Sequence, residues 1–239
     1  MLADLLGVAV GEYWHMQSRR GNLATLPTTR FALRITSAVL FAAFVAIATW
    51  VAAEGPLAGD RWALIKLHEV FGTSIDDEMK LVGDATDTLA LSVVAVVISG
   101  VLLLQARPRD AARFVTAAMF VFVMNPLLKQ VVGRSRPDIR PPPEELSSLS
   151  FPSGHAAGTA ALAGAILLVV RGGRPRKFAV IVGAAFVGIV GFSRLVLTVH
   201  YPSDVLAGWL WVGAWIALVS SLRPPHRRTS REPPATGST

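Results

Sequence analysis

Six stretches of this chain are apolar, and the middle of each carries no Asp, Glu, Lys, Arg or His: Ile35–Ala53, Leu89–Leu104, Phe114–Leu128, Ala156–Val170, Phe178–Leu197 and Val205–Leu222. A soluble domain breaks such runs with polar residues at helical spacing, because one face of each helix must meet water. These runs lack that face. Crossing ~30 Å of hydrocarbon takes about 20 apolar residues, so the shorter stretches are expected to extend into their neighbours. Composition agrees: 52% of the 239 residues are hydrophobic and 16% charged, against about 25% charged in an ordinary soluble domain. The expectation is an all-α, six-transmembrane-helix bundle spanning 35–222, preceded by a cytoplasmic segment 1–34 and followed by a tail 223–239.

The basic residues give an orientation. Fifteen of the 23 Lys and Arg fall before the first stretch, in the second and fourth connections, or in the tail, for example Arg30, Arg34, Arg107, Arg113, Arg174, Arg176 and Arg228. By the positive-inside rule both termini are expected in the cytoplasm. The net charge of +7 is then mostly a topology signal and calls for no nucleic acid partner. The early run "LADLLGVAV" has no basic region ahead of it and leads into "GEYWHMQSRR", so the first span, not a cleaved leader, is expected to direct insertion. With no cysteine in the chain, disulfide and thiol chemistry are excluded.

Between the first two stretches lies a long mixed connection, Gly55 to Thr88. Within it Ala63, Leu64, Leu67, Val70 and Phe71 recur at helical spacing, as do Ile75, Met79 and Val82, which predicts short helices at the outer interface. The tail from Arg223 is rich in Pro, Arg, Ser and Thr and reads as disordered.

Chemistry gathers at the outward ends of the last four stretches. Lys129, Arg136 and Arg194 supply three cations suited to a phosphate group, although each side chain alone is equally compatible with snorkelling toward lipid headgroups. Ser153 and Gly154 precede a helix whose first-turn N–H groups lack internal partners, a phosphate cradle or an ordinary N-cap. His200 and Asp204 are four residues apart, one helical turn if the chain is helical there, and Pro202 suits a helix beginning nearby. A carboxylate on one imidazole nitrogen leaves the other free to attack; a capping Asp beside an interfacial His is the plainer alternative. The absence of midplane charge argues against a proton-coupled transporter.

Together these residues read K-x6-RP from Lys129 to Pro137, PSGH from Pro152 to His155, and SR-x5-H-x3-D from Ser193 to Asp204. This resembles the type 2 phosphatidic acid phosphatase family, which includes bacterial undecaprenyl-diphosphate and phosphatidylglycerophosphate phosphatases. The motifs fall within roughly 75 residues, and the span layout is similar over most of the chain. The resemblance implies phosphate binding by Lys129, Arg136, Ser153, Gly154 and Arg194. It implies His200 as nucleophile, Asp204 as its orienting partner and His155 as the acid that protonates the leaving oxygen. Arg134 and Arg140 fall outside the motif and are expected only to steer anionic substrates.

The expected activity is a metal-independent, cofactor-free lipid phosphatase working through a phosphohistidine at the extracytoplasmic face of the cell membrane. Its expected partners are a lipid phosphate substrate, polyprenyl diphosphate first, and membrane lipids. Phosphatidic acid or phosphatidylglycerophosphate hydrolysis, phosphoryl transfer to another acceptor, and non-catalytic lipid-phosphate binding or transport stay open. Nothing in the sequence specifies an oligomeric state.

Overall fold

The computed structural model describes residues 25–141 and 149–222. The tail 223–239, residues 1–24 and the Pro-rich loop residues Glu144 and Glu145 lie outside the described residues.

Eight helices are found among the described residues, and no strand: α1 (Thr25–Glu54), α2 (Asp60–Phe71), α3 (Asp76–Asp84), α4 (Thr88–Leu104), α5 (Pro108–Val132), α6 (Gly154–Val169), α7 (Arg174–Val196) and α8 (Pro202–Ser221). Each of the six apolar stretches lies largely within one helix, and the two helical patterns of the first connection are α2 and α3. Local chemistry sets several ends. Pro108, Pro175 and Pro202 sit in first turns, where the missing N–H has no intrahelical partner to lose. Asp87 and Ser153 cap α4 and α6 by accepting from the backbone N–H of Ala90 and Ala156.

By length and composition α1, α5, α7 and α8 can each cross a membrane, and α3 with α4, bent by 45° at their junction, makes a fifth candidate. The sixth expected span is α6, whose 16 residues rise only about 24 Å at 1.5 Å per residue. Its length is limited at both ends. Ser153 starts it, and at the far end Arg176 donates to Leu167 O and Val170 O while Arg107 donates to Val169 O at 2.6 Å. Those arginines satisfy carbonyls that no further turn of helix would satisfy. The six-span count therefore does not follow from helix length alone.

Helix α6 is central, packing on α5, α7 and α8, whereas α1 packs chiefly on α8. Small residues allow the close approaches. A Cβ on Gly208 would lie 3.1 Å from Ser153 O and 3.3 Å from Ala157 N, so α8 passes against the backbone of the first turn of α6, the kind of contact small residues permit between membrane helices. The outer surface is apolar, with Phe31, Val39, Phe41 and Trp50 exposed on α1 and Leu89, Val96 and Leu104 on α4. Only 11% of the most apolar window of α1 is buried. An apolar exterior on this scale belongs in lipid.

Helices α2 and α3 do more than lie at an interface. They pack over the ends of α7 and α8, and Leu64 and Asp60 are buried there. This brings the first connection into the polar end of the bundle.

Candidate active site

Several segments assemble the polar end. Lys129 is in the last turn of α5, His155 in the first turn of α6, Arg194 near the end of α7 and Asp204 in the first turn of α8, while Arg134, Arg136, Arg140 and Ser150 come from the connection between α5 and α6. After α7 the chain reverses through Leu197–Val199. Thr198 there has φ 56°, a conformation that is rare and strained for a β-branched residue. Thr198 N donates to Leu195 O, the N–H groups of Val199 and His200 reach back to Arg194 O, and Arg140 Nε donates to Thr198 Oγ1 at 3.1 Å. The reversal buries His200, which is 2% exposed.

Helix α8 begins only at Pro202, so His200 precedes it and Asp204 is its third residue. The four-residue spacing thus arises from a helix start and not from one turn of a continuous helix. The Asp204 carboxylate accepts from Tyr201 N at 2.9 Å and from Ser150 Oγ, and its Oδ2 lies 3.4 Å from His200 Nδ1. On the other side of the ring, Arg136 Nη1 is 3.3 Å from Nε2 and donates to Val199 O at 2.8 Å. A guanidinium N–H opposite Nε2 fits the tautomer with its proton on Nδ1, directed at Asp204. Burial pushes the His200 pKa down to about 4, against the opposing pull of Asp204, so the ring is neutral at pH 7 and Nε2 carries a lone pair.

Ser153 N donates to Asp204 O at 3.1 Å, which ties the PSGH segment to the start of α8. His155 lies beside Arg194, His200 and Lys129 and meets the backbone of Gly83. Lys129 Nζ donates to Leu149 O, and Arg194 Nη2 to Met79 O at 3.0 Å. The Arg194 guanidinium rests on Gly83 of α3, where an added Cβ would lie 2.2 Å from Nη2. A Cβ on Gly154 would instead meet nothing nearer than 3.5 Å, so protein packing does not require that glycine.

Arg134 and Arg140 differ from the sequence expectation. Neither is a loose steering charge. Arg140 makes a two-pronged pair with Asp76 of α3, at 2.7 and 2.8 Å, the fork geometry a carboxylate matches best. Arg134 is buried between two carboxylates: Nη1 donates to Asp204 Oδ1 at 2.5 Å and Nη2 to Asp60 Oδ2 at 2.9 Å. Sequence reasoning missed Asp60, Asp76, Ser150 and Gly83. The signal available for the two aspartates was a surplus of arginine beside the motifs, which burial obliges acidic partners to offset. Asp60 and Asp204 share one guanidinium, and among the described residues no three His, Asp or Glu side chains converge as metal ligands would.

Residues 110–228 match the model of the PAP2 superfamily. Over 133 residues the chain is 35% identical to decaprenylphosphoryl-5-phosphoribose phosphatase of Mycobacterium tuberculosis, covering 53% of this chain and 70% of that one. It is 32% identical over 116 residues to lipid A 1-phosphatase of Rhizobium etli, covering 45% of this chain and 47% of the relative, so it spans about half that relative's length. The fold is similar to the crystal structure of a transmembrane PAP2 type phosphatidylglycerolphosphate phosphatase from Bacillus subtilis, with a TM-score of 0.69 and 23% identity over 77% of this chain and 94% of that one. With that extent of identity to a relative covered over more than two thirds of its length, the chain belongs to the PAP2 superfamily.

Proposed function

We propose that this protein is an integral membrane lipid phosphatase that removes a phosphate from a long-chain lipid phosphate or diphosphate, a polyprenyl diphosphate first among them. One observation carries the reading. Three basic side chains, a neutral buried histidine backed by a carboxylate, and a second histidine converge at one end of a bundle whose long helices expose large apolar side chains. A phosphate held there sits at headgroup depth while its chain stays in hydrocarbon.

In the proposed reaction His200 Nε2 attacks phosphorus and the bond to the lipid oxygen breaks. Lys129, Arg136 and Arg194 stabilise the charge on the equatorial oxygens, doing what a metal ion does elsewhere. The first-turn N–H groups of α6 and Ser153 cradle the same oxygens, and the open space at Gly154 supports a close approach. His155 protonates the departing oxygen, then takes a proton from the water that hydrolyses the phosphohistidine. Asp204 holds the Nδ1–H tautomer and stabilises the positive ring. The relatives named for prenyl-linked and lipid A phosphates support a lipid substrate. Six membrane crossings, with α6 as a short central one, would keep both termini cytoplasmic and the site extracytoplasmic.

The test compares undecaprenyl diphosphate, phosphatidic acid, phosphatidylglycerophosphate and glucose 6-phosphate in one detergent, with and without a chelator. A long-chain lipid phosphate should show kcat/KM at least about 100-fold above the sugar phosphate, because the tail's binding energy positions the reacting group, and chelation should change nothing. Preference for the sugar phosphate defeats the reading; preference for a glycerolipid defeats only the prenyl choice. Orientation has its own check. An epitope after Thr239 should resist protease added to intact cells, whereas one inserted after Pro141 should be cleaved. The reverse pattern would place the site in the cytoplasm.

A further inference from the structure

The first connection supplies a buried carboxylate that the three motifs do not include. Asp60, 4% exposed, opens α2. It accepts from Leu57 N at 3.1 Å and Ser203 N at 3.0 Å, and from Ser203 Oγ and Arg134 Nη2. Arg134, 7% exposed, donates also to Ser203 Oγ at 2.8 Å and to Asp204 Oδ1, and its guanidinium lies 3.9 Å from the centroid of the Tyr201 ring. Asp60 and Asp204 each bear a negative charge and Arg134 one positive charge, so the trio carries a net charge of −1 next to His200. In a low-dielectric site a change of one unit in that charge is felt strongly by the ring it faces.

We propose that Asp60 and Arg134 are positioning residues for His200: the shared guanidinium holds the Asp204 carboxylate against Nδ1, and Asp60, by drawing on the same cation, preserves the negative charge that Asp204 presents to the ring. The proposal rests on the phosphohistidine reading and deepens it. Neither residue touches the phosphate. Around His200 the other charged or titratable groups are Arg136 from the α5–α6 connection, Lys129 of α5, and His155 of α6, with Arg194 of α7 beside His155.

The signs follow from charge. Removing the Asp60 charge leaves Arg134 to offset Asp204 fully, destabilises a positive His200 ring, and moves the acid limb of kcat/KM to lower pH. Removing the Arg134 charge has the opposite effect. Removing both restores a net charge of −1. The experiment is a double-mutant cycle of Asp60→Asn and Arg134→Gln in the full chain in detergent, with kcat, KM and the pH profile measured on the best lipid substrate. Asp60→Asn is expected to lower kcat about tenfold with KM within twofold, a loss inside the range of coupling between groups in one network. The acid limbs of the two single variants should shift in opposite directions, and the double variant's acid limb should sit near wild type, with a kcat above the product of the two single losses.

Limbs that shift together or not at all, or losses that multiply in the double variant, overturn the proposal. Where a single variant fails to fold, the double decides: a folded double variant within tenfold of wild-type kcat supports the proposal, and a folded one more than about 100-fold slower overturns it. His200→Ala in the same assay separates the two claims. If it retains turnover, the phosphohistidine reading fails; if it is dead while Asp60→Asn behaves as wild type, only the role of Asp60 and Arg134 fails.

Discussion

His200→Ala should lower lipid phosphate hydrolysis by about 10⁴-fold or more, since loss of a nucleophile removes the covalent route entirely. Its neighbours have other tasks: Arg136, on the Nε2 side, is a guanidinium and no nucleophile, Ser150 Oγ is committed to Asp204, and His155 is assigned to the leaving oxygen. The variant should still extract and elute as the folded protein, because the backbone N–H of His200 and the turn around it do not depend on the ring. A phosphoryl label retained by the wild-type protein after rapid alkaline quench should be missing from the variant. Turnover near the wild-type rate would remove His200 from the mechanism. Asp204→Asn should follow with a smaller but still large loss, through the wrong tautomer and the lost stabilisation of the positive ring.

The second large effect is expected at a residue outside every motif. Gly83→Ala places a methyl group where the Arg194 guanidinium now lies, 2.2 Å from Nη2 and 2.7 Å from Cζ. The obstructed atoms are the far end of a flexible side chain, so the fold accommodates the change by moving Arg194. On the proposed mechanism that withdraws one preorganised cation from the transition state, which typically costs 10²–10³-fold in kcat. Stability should go the other way. Gly83 lies within α3 with no positive φ, and alanine is the better helix former there by about 1 kcal/mol. A melting temperature held or raised together with a kcat reduced at least 100-fold is the expected result; a kcat within a few-fold of wild type would show that the seat of Arg194 on α3 is immaterial.

The residues that could be read from the sequence are those whose signal is local. Charge-free apolar blocks announce their helices because lipid offers backbone groups no partner, and only a helix satisfies them internally. The three motif segments stand out because their residue types are costly at a membrane boundary without a task. Asp60 gave no such signal. Its partners, Arg134 and Ser203, lie 74 and 143 positions away, and one aspartate opening a short helix looks like any N-terminal acidic residue. Arg134 and Arg140 read as steering charges, and even taken as surplus cations in need of counter-charges they do not say which carboxylates supply them. The start of α8 at Pro202 was within reach of the proline rule, whereas the short length of α6 depends on Arg107 and Arg176 reaching across from neighbouring segments.

The contacts of α2 and α3 bear on how far this fold is modular. The region matching the superfamily begins at residue 110, yet Asp60, Asp76, Met79 and Gly83, which neutralise or seat three arginines of the polar end, all come before it. A chimaera joined at that boundary would transplant every motif residue and leave behind the groups that hold Arg134, Arg140 and Arg194 in place. The unit that carries the seats of these arginines is therefore larger than the stretch matched to the superfamily, and a graft that keeps them has to start no later than the turn ahead of Asp60.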